Sequence, residues 1–395
     1  MAVFVAPELT DLEFEVIGLI EELRDEVSHR VREPRRWQGG LRRMSRARAV
    51  QASNSIEGYN ATLDDVLAIQ DSDEPMDADE ETRFALEGYQ EAMTYVLQSA
   101  RDDGFRVDEG LLKALHFMML KHSLAFNPGR WRTGPIQVQH SETQEIVYTA
   151  PDHELVPELV AQMLDELGAP SVPVLARAAL AHLNLVMIHP FRDGNGRMAR
   201  CLQTLVLARE QPATPVFSSI EEYLGRNTPD YYDVLAEVGQ GSWHPERDAS
   251  PWVRFCLTAH YRQARTLVRR IQAFEQMWSV AERLANERRL PERTIGPIAE
   301  AAYGLRIKRK TYLRSVEITS GEEIADLTAS RDLRALVTAG LLIPFGDTRA
   351  RYYLGSESLR SEWDRIRSQW PRGREADDPF RIAAERRQLE LDIGS

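Results

Sequence analysis

Residues 189–200 read His189-Pro190-Phe191-Arg192-Asp193-Gly194-Asn195-Gly196-Arg197-Met198-Ala199-Arg200, and they stand where one apolar helical pattern gives way to another. From Val174 to Ile188 the chain is apolar almost all round (Leu175, Ala178, Ala179, Leu183, Val186, Ile188), as a helix at the centre of a domain must be. Pro190 cannot continue that helix. A second helix is expected from Asn195 or Gly196, because Met198, Leu202, Leu205 and Val206 recur at helical spacing. Its first-turn amides would be free to bind an anion. Gly194 and Gly196 keep side chains out of a polyphosphate's way, and Arg197 and Arg200, three apart, can both reach its oxygens. His189 adds a titratable base and Asp193 a hard oxygen ligand for Mg²⁺. Packing requires none of these groups here, so the stretch reads as a phosphate site with catalytic groups attached. It is not a Walker loop, which would end in Gly-Lys-Ser/Thr, and no GxGxxG follows a strand.

The same twelve residues resemble the signature of the Fic/Doc family, His-x-Phe-x-Asp/Glu-Gly-Asn-Gly-Arg-x-x-Arg, with no departure at a defined position. The resemblance implies a Fic-type helical core that transfers AMP from ATP, with Mg²⁺, to a Ser, Thr or Tyr hydroxyl of a protein, the chain itself included. It makes His189 the general base, Asp193 the metal ligand and Phe191 the anchor of the loop. Gly194, Asn195 and Gly196 would line the anion hole, with Arg197 and Arg200 on the β- and γ-phosphates. In-line nucleotidyl transfer needs positioning, charge neutralisation and removal of one proton, and an imidazole with a pKa near ~6.5 suits the last task.

Far upstream, Ser53-Asn54-Ser55-Ile56-Glu57-Gly58 matches the family's inhibitory pattern, Ser/Thr-x-x-x-Glu-Gly/Asn. By that resemblance Ser53 and Glu57 form a brake: the Glu57 carboxylate pairs with Arg200, which then cannot hold the γ-phosphate, and Gly58 ends the helix that carries it. Alternation in Ile136-Gln137-Val138-Gln139 and Ile146-Val147-Tyr148 predicts a hairpin. In the family such a flap pins the target by strand addition, which makes Ile136, Val138 and Val147 the expected docking residues. Tyr231 and Tyr232 fall in the segment that resembles the family's adenine-pocket side.

The chain of 395 residues is 43% hydrophobic and 28% charged, ordinary for a globular protein, and its formal net charge of -12 argues against general nucleic-acid affinity. Cys201 and Cys256 fall within apolar helical patterns and read as buried thiols. No apolar run reaches the ~18 residues of a membrane span, and Met1–Pro7 lacks the build of a signal peptide, so a cytoplasmic protein without membrane contact is expected. Lysine occurs only at 113, 121, 308 and 310, so nearly all 49 basic residues are arginine; this bias suggests a GC-rich bacterial genome and discounts the eight arginines between Arg30 and Arg48 as a nucleic-acid signal.

The expected organisation is mainly α: a Fic-type helical core with a small β-hairpin flap, plus a C-terminal winged-helix domain. The divisions are 1–75, an N-terminal helical segment carrying the inhibitory motif; 76–262, the catalytic core; 263–290, a connecting helix; 291–355, the winged-helix-like unit; and 356–395, a charged tail with a surface helix near Phe380 to Leu391. The first segment should break near Pro34 and Gly39-Gly40, and the acidic stretch Asp71–Glu81 should be a surface connection. In the C-terminal unit, Glu322–Leu327 and Thr328–Val337 read as helix, turn and helix, with Thr328 as cap and a wing closed at Gly346-Asp347. Arg331, Arg334, Arg349 and Arg351 would face DNA, but ten basic against eight acidic residues make protein contact an equal alternative. Beyond ATP and a protein substrate, a homodimer and DNA are thus the partners considered. Against autoinhibited AMP transfer stand two alternatives: AMP removal or use of another nucleotide on the same scaffold, and a DNA-binding regulator with a vestigial core.

Overall fold

The computed structural model describes the chain except residues 1, 103, 140–142, 170, 211–218, 348–350, 370–377 and 395, and for 390–394 the backbone alone. Arg349, which the sequence reading placed toward DNA, lies outside the described residues. The architecture is mainly helical, with two small antiparallel hairpins among the described residues.

The N-terminal helices are α1 (Asp11–Arg32), α2 (Trp37–Ile56) and α3 (Leu63–Gln70). They are followed by α4 (Glu80–Ser99) and α5 (Glu109–Leu120). Side-chain caps start four of these: Thr10 and Thr62 form capping boxes with Glu13 and Asp65, and Asp79 and Asp108 accept from the Thr82 and Leu111 amides in the first turns of α4 and α5. The hairpin of β1 (Gln137–Gln139) and β2 (Ile146–Thr149) precedes α6 (Val156–Glu166). Then come α7 (Val174–Ile188) and α8 (Asn195–Glu210), the central pair. Their apolar side chains are buried on nearly every side by α4, α6 and the long helix α11 (Ser250–Glu287), with α9 (Glu221–Arg226) and α10 (Thr228–Gly239) between. Cys201 and Cys256 are buried and unpaired.

The C-terminal part contains α12 (Ile295–Ala302), α13 (Arg309–Ser320) and α14 (Asp326–Thr338). Strands β3 (Leu342–Phe345) and β4 (Tyr352–Gly355) then pair in register from Leu342↔Gly355 to Phe345↔Tyr352, and Ile307 bridges to Tyr353 as a third edge. Helices α15 (Glu357–Arg367) and α16 (Pro379–Gly394) complete the chain, α16 lying along α1 with Arg386 on Glu22 and Arg387 on Asp11. No helix among the described residues is long and apolar enough to cross a membrane.

Several expected boundaries are corrected. Gly39 and Gly40 do not break a helix; they lie inside α2, because a Cβ on Gly39 would stand 2.4 Å from Ile318 Cγ2, so glycine is what lets α13 approach. The expected division at 262/263 falls within α11, which runs unbroken from the core. Residues 322–325 are not helical, and Thr328 sits inside the first turn of α14, whose cap position is Ala325. The tail holds two helices, since α15 packs on α11 and α12 through Leu359 and Ile366.

Gly39→Ala should therefore overpack the α2–α13 contact and lower stability by about 1–3 kcal/mol, and Ile318→Ala should return part of that loss in the double variant. Denaturant midpoints of the four proteins measure the coupling; additive losses would place the strain elsewhere.

Candidate active site

The His189 turn is built by α7 ending against Pro190. His189 takes a left-handed conformation (φ 52°), its N–H donating to the Leu185 carbonyl at 3.0 Å. For a non-glycine residue this conformation costs on the order of 1 kcal/mol, so surrounding bonds must hold it. Arg132 supplies them. Its buried guanidinium donates to the His189 carbonyl at 2.9 Å, to Gly134 at 2.9 Å and to Pro151, and its own N–H donates to Pro190 at 2.9 Å. The imidazole Nδ1 lies 3.1 Å from the Val186 carbonyl. A carbonyl only accepts, so Nδ1 carries the proton and Nε2 is left with its lone pair. Burial holds the ring below its ordinary pKa, outweighing the Val186 carbonyl, so His189 is a neutral base.

Phe191 is fully buried, stacked on His116 at 3.8 Å between ring centroids and tilted against Trp131 at 4.8 Å. Gly129 N–H donates to His116 Nδ1 at 2.8 Å, which leaves Nε2–H to donate to the Asp193 carbonyl at 3.0 Å. Asn195 closes the loop: Oδ1 accepts from Phe191 N–H at 3.0 Å and Nδ2 donates to the Phe191 carbonyl at 2.9 Å. The Asn195 side chain is thus spent on loop geometry, and only its backbone amide stands at the start of α8. The Asp193 carboxylate is half-exposed, 3.7 Å from Arg197 Nη2.

Helix α8 carries Arg197 and Arg200 inward, both 1% exposed. Arg200 Nε donates to Ser53 Oγ at 2.7 Å, and Nη2 donates to the Ser53 carbonyl at 2.9 Å and to Glu57 Oε1 at 2.6 Å. Ser53 sits in the last turn of α2 and Glu57 is its C-cap, with Gly58 at φ +88° turning the chain away. A Cβ on Gly196 would lie 2.3 Å from Glu57 Oε1, so the missing side chain at 196 makes room for that carboxylate at the start of α8. Burial opposes the charged form of Glu57, yet Arg200 and Arg197 hold its carboxyl below the usual range; burial opposes charge on Arg200 too, and Glu57 raises its pKa. Arg197 Nε and Nη1 and Arg200 Nη1 remain buried without a hydrogen-bond partner. Unmet guanidinium donors of this kind cost about 1–3 kcal/mol each, and phosphate oxygens are their natural complement. Among the described residues no group of three or more His, Cys, Asp or Glu is placed to hold a metal ion; the site offers Asp193 alone, which suits Mg²⁺ only when phosphates supply further oxygens.

The two tyrosines part company. Tyr231 is buried, its hydroxyl 3.0 Å from His182 Nε2, and so belongs to the packing rather than to a nucleotide surface; Tyr232 is half-exposed and donates to the Ile56 carbonyl at 3.4 Å beside Glu57. On the hairpin, Val138 faces inward opposite Tyr148, whose hydroxyl donates to the Met187 carbonyl at 3.0 Å, and Ile136 precedes β1 half-buried. Of the three expected docking residues, Val147 alone is exposed, with Ile146 beside it. Sequence reasoning missed Arg132, His116, Tyr148 and Tyr59, whose ring lies 5.1 Å from the Arg197 guanidinium. None stands at a spacing that ties it to residues 189–200.

Burial lowers the pKa of His116 to about 4 and of His182 to about 3. A folded-state pKa below the unfolded value near ~6.5 means that these rings stabilise the fold above that pH and lose the contribution as pH falls toward 4. The thermal midpoint should decline over that interval, and less steeply in His116→Gln. Equal slopes for the two proteins would remove His116 as a source.

Residues 106–207 match the Fic/DOC family. Over 260 residues the chain is 28% identical to the protein adenylyltransferase fic-1 of Caenorhabditis elegans, covering 63% of this chain and 46% of the relative. To the protein adenylyltransferase Fic of Nematostella vectensis it is 27% identical over 271 residues, 63% of this chain and 55% of the relative. The chain thus spans about half the length of these curated relatives. In fold it is similar to a Fic family protein from Desulfovibrio desulfuricans G20 (TM-score 0.57, 22% identity, 89% of this chain and 98% of that one). A Fic domain containing signaling protein from Bacteroides thetaiotaomicron is also similar (TM-score 0.51, 18% identity, 64% and 97%). With the complete His189–Arg200 signature at the junction of α7 and α8, the chain carries a domain of the Fic/DOC family.

Proposed function

We propose that the chain is a protein adenylyltransferase held in check by its own N-terminal segment. The observation that carries the reading is the buried pairing of Arg200 with Ser53 and Glu57, next to guanidinium nitrogens that have no partner. The acceptor is a protein Ser, Thr or Tyr hydroxyl, laid against the outer edge of the β1–β2 hairpin near Val147; the chain itself is one such acceptor. His189 Nε2 takes the hydroxyl proton, the oxygen bonds to the α-phosphorus of ATP, and the bond to the bridging oxygen breaks so that pyrophosphate leaves. Arg197 and, once released, Arg200 bind the β- and γ-phosphates, while the Gly194–Gly196 backbone presents the start of α8. Asp193 would hold Mg²⁺, which neutralises charge on the phosphates. In the resting chain Glu57 occupies the place of the γ-phosphate. The same carboxylate could position a water for AMP removal, but the neutral base and the unmet donors favour transfer. They also weigh against a vestigial core.

His189→Ala should lower AMP incorporation by about 10²–10⁴ with little change in ATP affinity, since the ring acts on the incoming hydroxyl. Labelling at the wild-type rate would exclude it as the base.

Glu57→Gly should raise self-labelling by about 10- to 100-fold, the worth of one charge-assisted pair, and Arg200→Ala added to it should cancel the gain. Scanning the wild type, both single variants and the double variant for AMP incorporation and thermal midpoint decides the matter: a Glu57→Gly protein that is less stable and no more active would sink the brake.

A further inference from the structure

The acidic stretch after α3 is folded against the C-terminal unit. Between α3 and α4 the chain has no helix or strand, and Asp65 pins it by accepting from Met76 N–H at 2.8 Å and Asp77 N–H at 3.0 Å. Its carboxylates meet a strip of cations that runs from the Ile307 bridge into α13. Arg306 donates to Asp77 at 2.7 Å, Lys308 lies 3.6 Å from Asp73 and donates to the Glu74 carbonyl at 3.0 Å, Lys310 lies 3.3 Å from Asp73, and Arg314 lies 4.0 Å from Asp71. Half the chain's lysines are in this strip.

Two kinds of contact make up the seam. Inside, Asp71 pairs with Arg43 of α2, both nearly fully buried, with Glu300 3.6 Å from the same guanidinium. That part is a fixed anchor. Outside, Lys310, Arg314 and Asp77 are half-exposed while Arg306, Lys308 and Asp73 are more covered, and Arg314 also meets Glu317 of its own helix at 2.7 Å; ion pairs open to solvent on one side are worth about 0–1 kcal/mol each and are screened by salt. Three carboxylates of this irregular segment, Asp71, Asp73 and Asp77, thus lie along four cations, the charge complement that the phosphates of a nucleic-acid strand would also supply. The neighbouring surface matches that ligand. The Arg306 guanidinium lies over the Tyr352 ring of β4, Arg351 beside it is exposed, and α14 turns Arg331, Arg334 and Thr338 outward. A helix followed by a two-stranded wing is a shape that places the helix in a major groove and the flanking cations on the backbone.

We propose that Arg306, Lys308, Lys310 and Arg314 form a binding surface for the backbone of duplex DNA, covered in the resting chain by its own acidic segment 71–77. The inference is independent of the proposed AMP transfer. It accounts for an acidic chain that carries a basic strip with no open face: the strip is screened intramolecularly, and DNA must displace residues 72–77 to reach it.

The test uses the full chain and a fluorescein-labelled duplex of about two helical turns, followed by anisotropy between about 50 and 200 mM salt. Wild type should bind weakly. Asp73→Ser/Asp77→Ser, which leaves the buried Asp71 in place, should bind about 10-fold tighter or more with a steep salt dependence, and adding Lys308→Glu/Lys310→Glu should cancel the gain. A double variant that binds no tighter, or a gain that survives the lysine changes, overturns the proposal. Hydrogen exchange guards against a misfolded variant: on wild-type protein, saturating duplex should speed exchange at the Met76 and Asp77 amides, and unchanged protection there also overturns it. Tighter binding of a single-stranded RNA of equal length would refute the assignment to duplex DNA. Whether Glu57→Gly activates AMP transfer has no bearing on either readout.

Discussion

A guanidinium that is 1% exposed has to be neutralised, and the placement of Arg200 on the inner face of α8 organises much of this protein. Removing one partner from a buried ion pair costs roughly 3–5 kcal/mol, because the other charge is left in the interior. Glu57 and Ser53 meet that demand, which draws the C-terminal end of α2 onto the start of α8 and makes the N-terminal segment part of the core. Gly196 follows from the same contact, since a side chain there would occupy the carboxylate's position. A polyphosphate answers the same electrostatic need. On the proposed function, carboxylate and phosphate compete for that guanidinium.

The catalytic loop depends on a second set of constraints, all made by neutral or fixed groups. Arg132 ties three backbone carbonyls and its own amide to the turn at His189, and His116 bridges Gly129 to the Asp193 carbonyl while its ring packs on Phe191. Neither has to touch a substrate to matter. Each holds a strained or irregular stretch of backbone in one conformation, and so sets where the imidazole and the Asp193 carboxylate stand.

Helix α2 also carries the contact in the other direction. Gly39 admits Ile318 and Arg43 meets Asp71 and Glu300, so the helix whose end blocks Arg200 is gripped near its start by the C-terminal unit. Helix α11 runs without interruption beneath both. Divisions drawn along the sequence therefore cut through continuous packing.

Local chemistry made a good part of this legible in the amino-acid sequence. An apolar run closed by Pro190, a glycine pair before a new periodic pattern, and alternation around Val138 and Val147 are short-range signals, and α7, α8 and the hairpin lie where they point. The Ser53–Glu57 pattern, a weak signal in itself, and its partner Arg200 were legible only through the resemblance to the family's inhibitory motif. Long-range placement was not. Nothing in the composition of residues 130–132 ties Arg132 to a turn 57 residues away, and Tyr231 and Tyr232, adjacent and chemically alike, are separated into core and surface only by the direction each leaves α10. Gly39-Gly40 reads as a break because glycine lowers helix propensity by about 1 kcal/mol. Tertiary packing of α13 against that face outweighs the penalty. The acidic loop, read from sequence as a surface connection, acquires its partners only when α13 and the wing fold over it. The sequence by itself determined α7, α8, the β1–β2 hairpin and the chemical groups of the 189–200 loop, since these rest on periodicity and on residues close in the chain. Only the tertiary structure decided which charges face one another, because burial and pairing depend on elements that arrive from far away.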